Sequence, residues 1–231
     1  MSKNIKKITK AFVVDLDSRE NQSILKSNAR SSNNQAHQVN EAAEKIDKLI
    51  KNAPYSNDDI ILNHNEIKEA FFSPFKPQLK DAQVFLSHSH ADRNKALEVK
   101  NYLESKTNHR VFIDSLFWDY KDNIVKEMSK YDNTSKIEDA FTLILRESLQ
   151  DMIEKCPYFV FLKNKNSVSD QGLSHITYSA WIYKELKIAH SIRESRPTPM
   201  MENFQVSHNI SPFLEHLETI TLSKLSHIIN S

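Results

Sequence analysis

The composition of the 231-residue chain excludes several classes of protein before any motif is considered. The 31 basic and 30 acidic residues nearly balance, so no strong overall field favours nucleic acid or an anionic membrane as a partner. The single glycine, Gly172, excludes both the GxGxxG dinucleotide fingerprint and the Walker A loop, because each needs more than one glycine to approach phosphates.

The single cysteine, Cys156, rules out an intramolecular disulfide and indicates a reducing compartment. The apolar run near the N-terminus is too short for a signal peptide, and no segment approaches the roughly 20 apolar residues of a membrane span. We therefore expect a cytoplasmic protein.

The first 80 residues differ in sequence pattern from the remainder, and we predict that they form a mainly helical extension of unknown role. Apolar residues recur every three or four positions in residues 31–52, which predicts an amphipathic helix. This helix is expected either to pack on the neighbouring domain or to mediate self-association. Pro74 and Pro77 mark the predicted boundary between residues 1–80 and a domain of residues 81–231.

Short apolar runs alternate with helical patterns after residue 80. Buried strands are predicted at residues 82–89, 110–114 and 158–162, because these runs show little polar alternation. Such an alternation predicts βαβ units and a doubly wound parallel sheet, which binds ligands beyond the carboxyl ends of its strands.

The remaining elements are predicted with weaker signals. Residues 137–155 and 179–194 show helical spacing, and residues 163–178 form the most loop-like polar stretch. Two weak strands are expected near 200–204 and 217–222, before a closing helix.

The first predicted strand ends in the polar sequence SHSHADR, which includes Ser87, His88, Ser89 and Asp92. Its His-x-His-x-Asp spacing is that of metallo-β-lactamase-type zinc hydrolases, but Arg93 stands where that motif has a further histidine. The alternative without a ligand is that Ser89 or Asp92 caps the following helix.

The second predicted strand ends in IDSLFWDY, so that Asp114, Trp118 and Tyr120 leave the sheet at its carboxyl edge. Large aromatic side chains in a loop either pack against the protein or stack on a ligand. Packing is the commoner explanation for any one of them.

The sequence YSAWIYKEL, after the third predicted strand, sets Trp181 and Glu185 one helical turn apart. Ile182, Leu186 and Ala189 form the stripe expected to face the sheet. Considered by itself, Glu185 is most simply a solvated glutamate on a helix.

Taken together, VFLSHSHADR, RVFIDSLFW and SAWIYKEL, in that order, resemble the TIR (Toll/interleukin-1 receptor) domain, especially its bacterial members. The resemblance extends from about residue 82 to the C-terminus. It implies a flavodoxin-like doubly wound sheet and, for many bacterial members, cleavage of NAD at the nicotinamide-ribose bond, often in antiphage defence or signalling. Ala180 departs from the family pattern, which usually has proline before the tryptophan.

The resemblance also implies roles for individual residues. Glu185 takes the position of the catalytic glutamate and Trp181 the adjacent stacking position. The substrate site is expected to include the strand-end residues Ser87, His88, Ser89, Asp92, Asp114, Trp118 and Tyr120. NAD is then a substrate rather than a cofactor, and no metal is expected.

An ionised carboxylate suits this chemistry because loss of nicotinamide builds an oxocarbenium-like centre on the ribose. The carboxylate can stabilise that charge or trap it covalently, and nicotinamide leaves without needing a proton. Ser87, Ser89 and backbone amides at the start of the first helix could hold the diphosphate.

The sequence and the resemblance therefore indicate two classes of function. The first is an NAD-cleaving TIR enzyme, with self-association through TIR surfaces or the N-terminal helix and a possible downstream effector. The second is a TIR protein-interaction module without turnover. The sequence leaves open whether the product would be ADP-ribose, a cyclic isomer or a conjugate.

Overall fold

The computed structural model describes residues 10–27, 81–113, 134–171, 174–194 and 207–231, with parts of 45–72 and the single positions 115, 122 and 126. Contacts divide the chain into two compact units, one of residues 1–32, 81–114 and 149–231 and the other of residues 33–80 and 115–148. The first unit contains the main sheet.

In chain order the strands and helices are β1 (Lys10–Asp15), α1 (Arg19–Ser27), β2 (Tyr55–Ser56), β3 (Asp59–Ile60), α2 (His64–Phe72), β4 (Ala82–Ser87), α3 (Arg93–Lys106), β5 (Arg110–Ile113), α4 (Thr134–Lys155), β6 (Tyr158–Lys163), β7 (Ser169–Gln171), β8 (Ser174–Thr177), α5 (Ala180–Glu194), β9 (His208–Asn209), α6 (Ser211–Leu214), β10 (Glu218–Thr219) and α7 (Leu222–Asn230). A short 3₁₀ helix, His90–Asp92, connects β4 to α3. In the second unit, β2 and β3 pair as an antiparallel ladder.

The main sheet has five strands in the order β10-β1-β6-β4-β5, and each neighbouring pair is parallel. The three strands predicted after residue 80 are confirmed as β4, β5 and β6. Their apolar runs lack alternation because both faces of the sheet are covered: the burial patterns of β4 and β6 are almost continuous. The protein is therefore an α/β protein with a parallel sheet flanked by helices.

The N-terminal region contributes a strand that the predicted division at residue 80 did not include. Six residues of β1 pair with β6, from Lys10 with Tyr158 to Asp15 with Lys163. The sequence KAFVVD contains the N-terminal apolar run that is too short for a signal peptide, and its length and β-branched content suit a buried strand. Residues 81–231 thus do not contain the whole sheet, and the region before residue 80 is not only helical.

The strand order is compatible with a flavodoxin-like fold, with one difference in where a strand comes from. If β4 is counted as the first strand, the flavodoxin-like order 2-1-3-4-5 corresponds to β5 and β4, then β6, then a fourth strand, and finally β10. In this chain β1 occupies that fourth position, although it precedes β4 in sequence.

The stretch predicted as a polar loop, residues 163–178, contains two of the three strands of a small antiparallel sheet, β7-β8-β9. These strands have two to four residues and carry few apolar side chains, so their sequences lack a strand pattern. Pairing between neighbours and burial of Ile176 and Thr177 stabilise them instead.

The weaker predictions near the C-terminus have mixed outcomes. The predicted strand at 217–222 is confirmed in part by β10, and the closing helix by α7. The predicted strand at 200–204 and most of the predicted helix at 31–52 lie outside the described residues. In the portion of the chain that the structure does describe, no helix has the length and apolar character to cross a membrane.

Aromatic side chains fill the centre of the sheet. The ring of Phe85 on β4 stacks on Phe159 of β6 with centroids 5.8 Å apart, and lies 5.5 Å from the ring of Phe112 on β5. Phe85 and Phe159 are fully buried. This packing fixes the three strands whose carboxyl ends form the candidate site.

Asn21 on α1 connects the end of β1 to the start of α7. Its side-chain amide donates to the carbonyl of Asp15 at 2.8 Å, and its Oδ1 accepts from the backbone N–H of Leu222 at 2.8 Å. We expect Asn21→Ala to lower the free energy of unfolding by about 1–2 kcal/mol, because one buried and one partly buried backbone group lose their partner. Urea unfolding measures this, with Gln22→Ala on the exposed neighbour expected to change stability by under about 0.5 kcal/mol. Equal effects of the two variants would contradict the assignment.

Cys156, between α4 and β6, is fully buried. Burial raises the pKa of its thiol from 9.0 to about 12. Above pH 9 the unfolded chain therefore loses this proton while the folded chain keeps it, so stability falls between about pH 9 and pH 12. We expect Cys156→Ala to flatten that alkaline decline in urea midpoints. A thiol reagent should react with the wild type only in concentrated denaturant; rapid labelling of the folded protein would contradict the burial.

Candidate functional site

A buried hydrogen bond joins the end of β4 to α5. Ser87 Oγ donates to Glu185 Oε2 at 2.5 Å, across 98 positions of sequence. Both residues are fully buried, at 0% exposure. The structure thus brings together two side chains that the sequence analysis selected separately, one at a strand end and the other on a helix.

The position of this pair in the sheet is that of a ligand crevice in α/β proteins. Ser87 is the last residue of β4 and pairs with Phe161 of the adjacent β6. From β4 the chain goes on to β5 on one side, and from β6 it eventually reaches β10 on the other. Parallel sheets bind ligands outside the carboxyl ends of strands that diverge in this way.

The start of α5 is set by the residue before it. Ser179 Oγ accepts from the backbone N–H of Ile182 at 3.2 Å, which is the pattern of a helix N-cap. The helix begins at Ala180, where the TIR pattern usually has proline. Glu185 then lies in the second turn of the helix.

The prediction for the buried stripe of α5 is confirmed. Ile182, Leu186 and Ala189 are all buried, and α5 packs on β4. Trp181 is partly exposed, one turn before Glu185.

The simplest interpretation of Glu185, a solvated glutamate on a helix, is wrong because its side chain has no exposed surface. A carboxylate removed from water is costly unless it is hydrogen-bonded, and Ser87 provides such a bond. The bond also holds one oxygen of Glu185 at the end of β4.

The capping interpretation of the SHSHADR loop is also wrong. Ser89 precedes the short helix His90–Asp92 and Asp92 precedes α3, but neither side chain makes a capping hydrogen bond. Asp92 is instead buried, at 4% exposure, and its Oδ1 accepts from the side-chain amide of Asn166 at 2.9 Å. Lys95 Nζ lies 3.8 Å from the same oxygen.

The loop after β6 contributes polar residues that the sequence analysis did not select. Asn164 Oδ1 accepts from the backbone N–H groups of Asn166 and Ser167 at 2.9 and 3.0 Å, and the Ser167 hydroxyl accepts from the backbone N–H of Asn164. Asn164 and Ser167 are buried. The signal available in the sequence was the position of KNKNS directly after the third predicted strand, at the edge where ligands bind.

The zinc spacing does not produce a metal site in the described part of the protein. His88 is buried at 3% exposure, whereas His90 is exposed. Among the described residues no group of three or more histidine, cysteine or carboxylate side chains could hold a metal ion.

A carboxylate–imidazole pair lies in the small sheet rather than at the edge of the main sheet. Asp170 on β7 is 2.5 Å from His175 Nδ1 on β8. The hydrogen bond with His175, with Lys163 nearby, lowers the pKa of Asp170. Because both side chains are substantially exposed, the pair is a solvated surface contact.

Three of the predicted site residues, Asp114, Trp118 and Tyr120, lie outside the described residues. Of the others, the structure brings together Ser87 and Glu185, buries His88 and Asp92, and leaves Ser89 and Trp181 partly exposed.

Comparison of the chain with protein-family models, curated proteins and solved structures finds no match. The observations that bear on function are therefore the geometry of this sheet edge and the order of the sequence motifs along it.

Proposed function

We propose that the chain is an NAD-cleaving enzyme of the TIR type, in which Glu185 is the catalytic carboxylate. The observation that carries the proposal is the hydrogen bond between Ser87 and Glu185 at the carboxyl edge of β4. It joins Ser87 of the first sequence motif to Glu185 of the third, two residues that the TIR resemblance implies belong to one substrate site. It also keeps a carboxylate oriented at the sheet edge where α/β proteins bind nucleotides.

The proposed reaction requires one oriented carboxylate and few other groups from the protein. The bond between the ribose anomeric carbon and the nicotinamide nitrogen breaks, and neutral nicotinamide leaves with the electron pair. Glu185 stabilises the resulting oxocarbenium-like centre or bonds to it transiently. Attack by water then gives ADP-ribose and releases a proton, while attack by another nucleophile gives a cyclic product or a conjugate.

The burial of Glu185 adds a requirement to this proposal. Since the side chain has no exposed surface, α5 or the strand-end loops must open before a ribose can reach it. An enzyme of this kind is inactive in the closed form and turns over when assembly or a trigger opens the site.

The same burial favours a second candidate, a TIR assembly module without turnover. A glutamate that is fully buried and hydrogen-bonded contributes to structure whether or not it reacts. In this alternative the sheet edge stays closed, and the surfaces around it bind a partner or another copy of the chain.

Release of nicotinamide separates the two candidates. We expect purified protein incubated with NAD to release nicotinamide, detected by chromatography, at concentrations high enough for self-association. Mass spectrometry of the remaining fragment identifies the product as ADP-ribose, a cyclic isomer or a conjugate. No release from either dispersed or concentrated protein would contradict the enzyme and favour the assembly module. An active enzyme would fit a cytoplasmic role in antiphage defence or signalling, with a downstream effector reading the product.

A further inference from the structure

Two buried polar atoms beside the candidate site have no hydrogen-bond partner among the described residues. One is Asp92 Oδ2, an acceptor, and the other is Asn164 Nδ2, a donor. Their residues are 4% and 3% exposed, so bulk water does not satisfy them. Unsatisfied buried groups of this kind cost stability, and a bound ligand is one way of satisfying them.

Asn166 connects the two residues. Its backbone N–H donates to Asn164 Oδ1 at 2.9 Å, and its side-chain amide donates to Asp92 Oδ1 at 2.9 Å. Each of the two side chains is therefore held by one atom, while its second polar atom remains unused. The acceptor follows β4 and the donor follows β6, the two adjacent strands at whose ends the ligand crevice is expected.

The geometry is not explained by helix capping or by ion pairing alone. Asp92 makes no capping bond to α3, although its position before the helix would allow one. Lys95 lies 3.8 Å from Oδ1, the atom that Asn166 already holds, and its side chain is 42% exposed. Oδ2 is thus the part of the carboxylate that a ligand could use.

We infer that Asp92 and Asn164 form a subsite for the vicinal hydroxyls of a ribose. A hydroxyl is both donor and acceptor, so it can donate to Asp92 Oδ2 while it or its neighbour accepts from Asn164 Nδ2. A carboxylate repels phosphate and an amide N–H does not bind a cation, whereas a neutral diol can donate to one group and accept from the other. That the diol belongs to NAD rests on the proposed function, as does the opening that admits it.

The first experiment uses the wild type alone and measures binding by calorimetry. ADP-ribose is compared with ADP, which lacks the terminal ribose, and ADP with 2′,3′-dideoxy-ADP, which lacks the hydroxyls of the adenosine ribose. We expect one of these two losses to weaken binding about tenfold or more. Equal affinities across the series, or no binding of ADP-ribose, would overturn the subsite.

The second experiment uses near-isosteric variants. Asp92→Asn replaces the unused acceptor with a donor, and Asn164→Asp replaces the unused donor with an acceptor while keeping the oxygen that holds Asn166 and Ser167. Each should weaken ADP-ribose binding about tenfold or more, and Lys165→Ala, on an exposed side chain of the same loop, should leave it unchanged. Circular dichroism confirms folding. Folded variants that bind ADP-ribose as the wild type does would overturn the inference.

Nicotinamide release distinguishes this inference from the proposed function. Ribose binding that depends on Asp92, without release of nicotinamide, would leave the subsite standing and remove the NAD-cleaving activity. Release with unchanged affinity in Asp92→Asn would leave the activity standing and remove the subsite.

Discussion

Replacing Glu185 with glutamine is expected to lower the rate of nicotinamide release from NAD about 100- to 1000-fold. The amide has nearly the shape of the carboxylate but carries no negative charge, so it can neither stabilise an oxocarbenium-like centre nor bond to it. Its oxygen can still accept from the Ser87 hydroxyl, which keeps the buried contact. The expected result is therefore a loss of turnover with little change in the urea midpoint.

The matched control is Glu215→Gln, which makes the same chemical change on an exposed glutamate after α6. We expect it to retain the turnover of the wild type. If Glu185→Gln retains full turnover, Glu185 is not the catalytic carboxylate. If Glu215→Gln loses activity as well, the loss of one negative charge anywhere on the protein, rather than the position of Glu185, explains the lower turnover.

Replacing Ser87 with alanine is expected to lower the free energy of unfolding by about 2–3 kcal/mol. The substitution removes the hydroxyl that donates to Glu185 Oε2 and leaves that oxygen without this donor in a fully buried position. The cost is at the upper end of the range for a hydrogen bond because the oxygen that loses this donor is buried away from water. Urea unfolding measures it, and Ser89→Ala, at a partly exposed serine with no capping bond, should cost under about 0.5 kcal/mol.

A double-mutant cycle tests whether the cost comes from this pair. Glu185→Met removes both carboxylate oxygens at similar volume, so Ser87→Ala in that background should cost at least about 1 kcal/mol less than in the wild type. Equal costs in the two backgrounds would show that Ser87 stabilises the protein through other contacts. Because the cycle requires no substrate, it tests the geometry independently of the proposed activity.

The two candidate functions share the same closed structure and differ in whether the site opens and cleaves NAD. For an enzyme, the buried hydrogen bond keeps the carboxylate oriented until the site opens. For an assembly module, it contributes to stability only. A large stability loss in Ser87→Ala is compatible with both, so turnover in the wild type and its loss in Glu185→Gln decide between them.

Much of the sheet could be predicted from the sequence because local pattern reports how many faces of an element are covered. The continuous apolar runs of β4, β5 and β6 predicted strands buried on both faces, and the spacing of Ile182, Leu186 and Ala189 predicted the buried stripe of α5. The single glycine excluded glycine-rich phosphate loops by composition alone. The sequence also identifies Ser87 and Glu185 as candidate site residues, but it does not show that they are in contact.

The tertiary structure decided which segments meet. Parallel pairing joins residues far apart in sequence, so nothing local to KAFVVD indicated that β1 would pair with β6 about 150 residues later. For the same reason, Glu185 is hydrogen-bonded to Ser87, 98 positions away, and Asp92 is hydrogen-bonded to Asn166 rather than to the adjacent helix. Side-chain periodicity fixes the face of an element, whereas burial and hydrogen-bond partners are set by elements brought together only when the sheet forms.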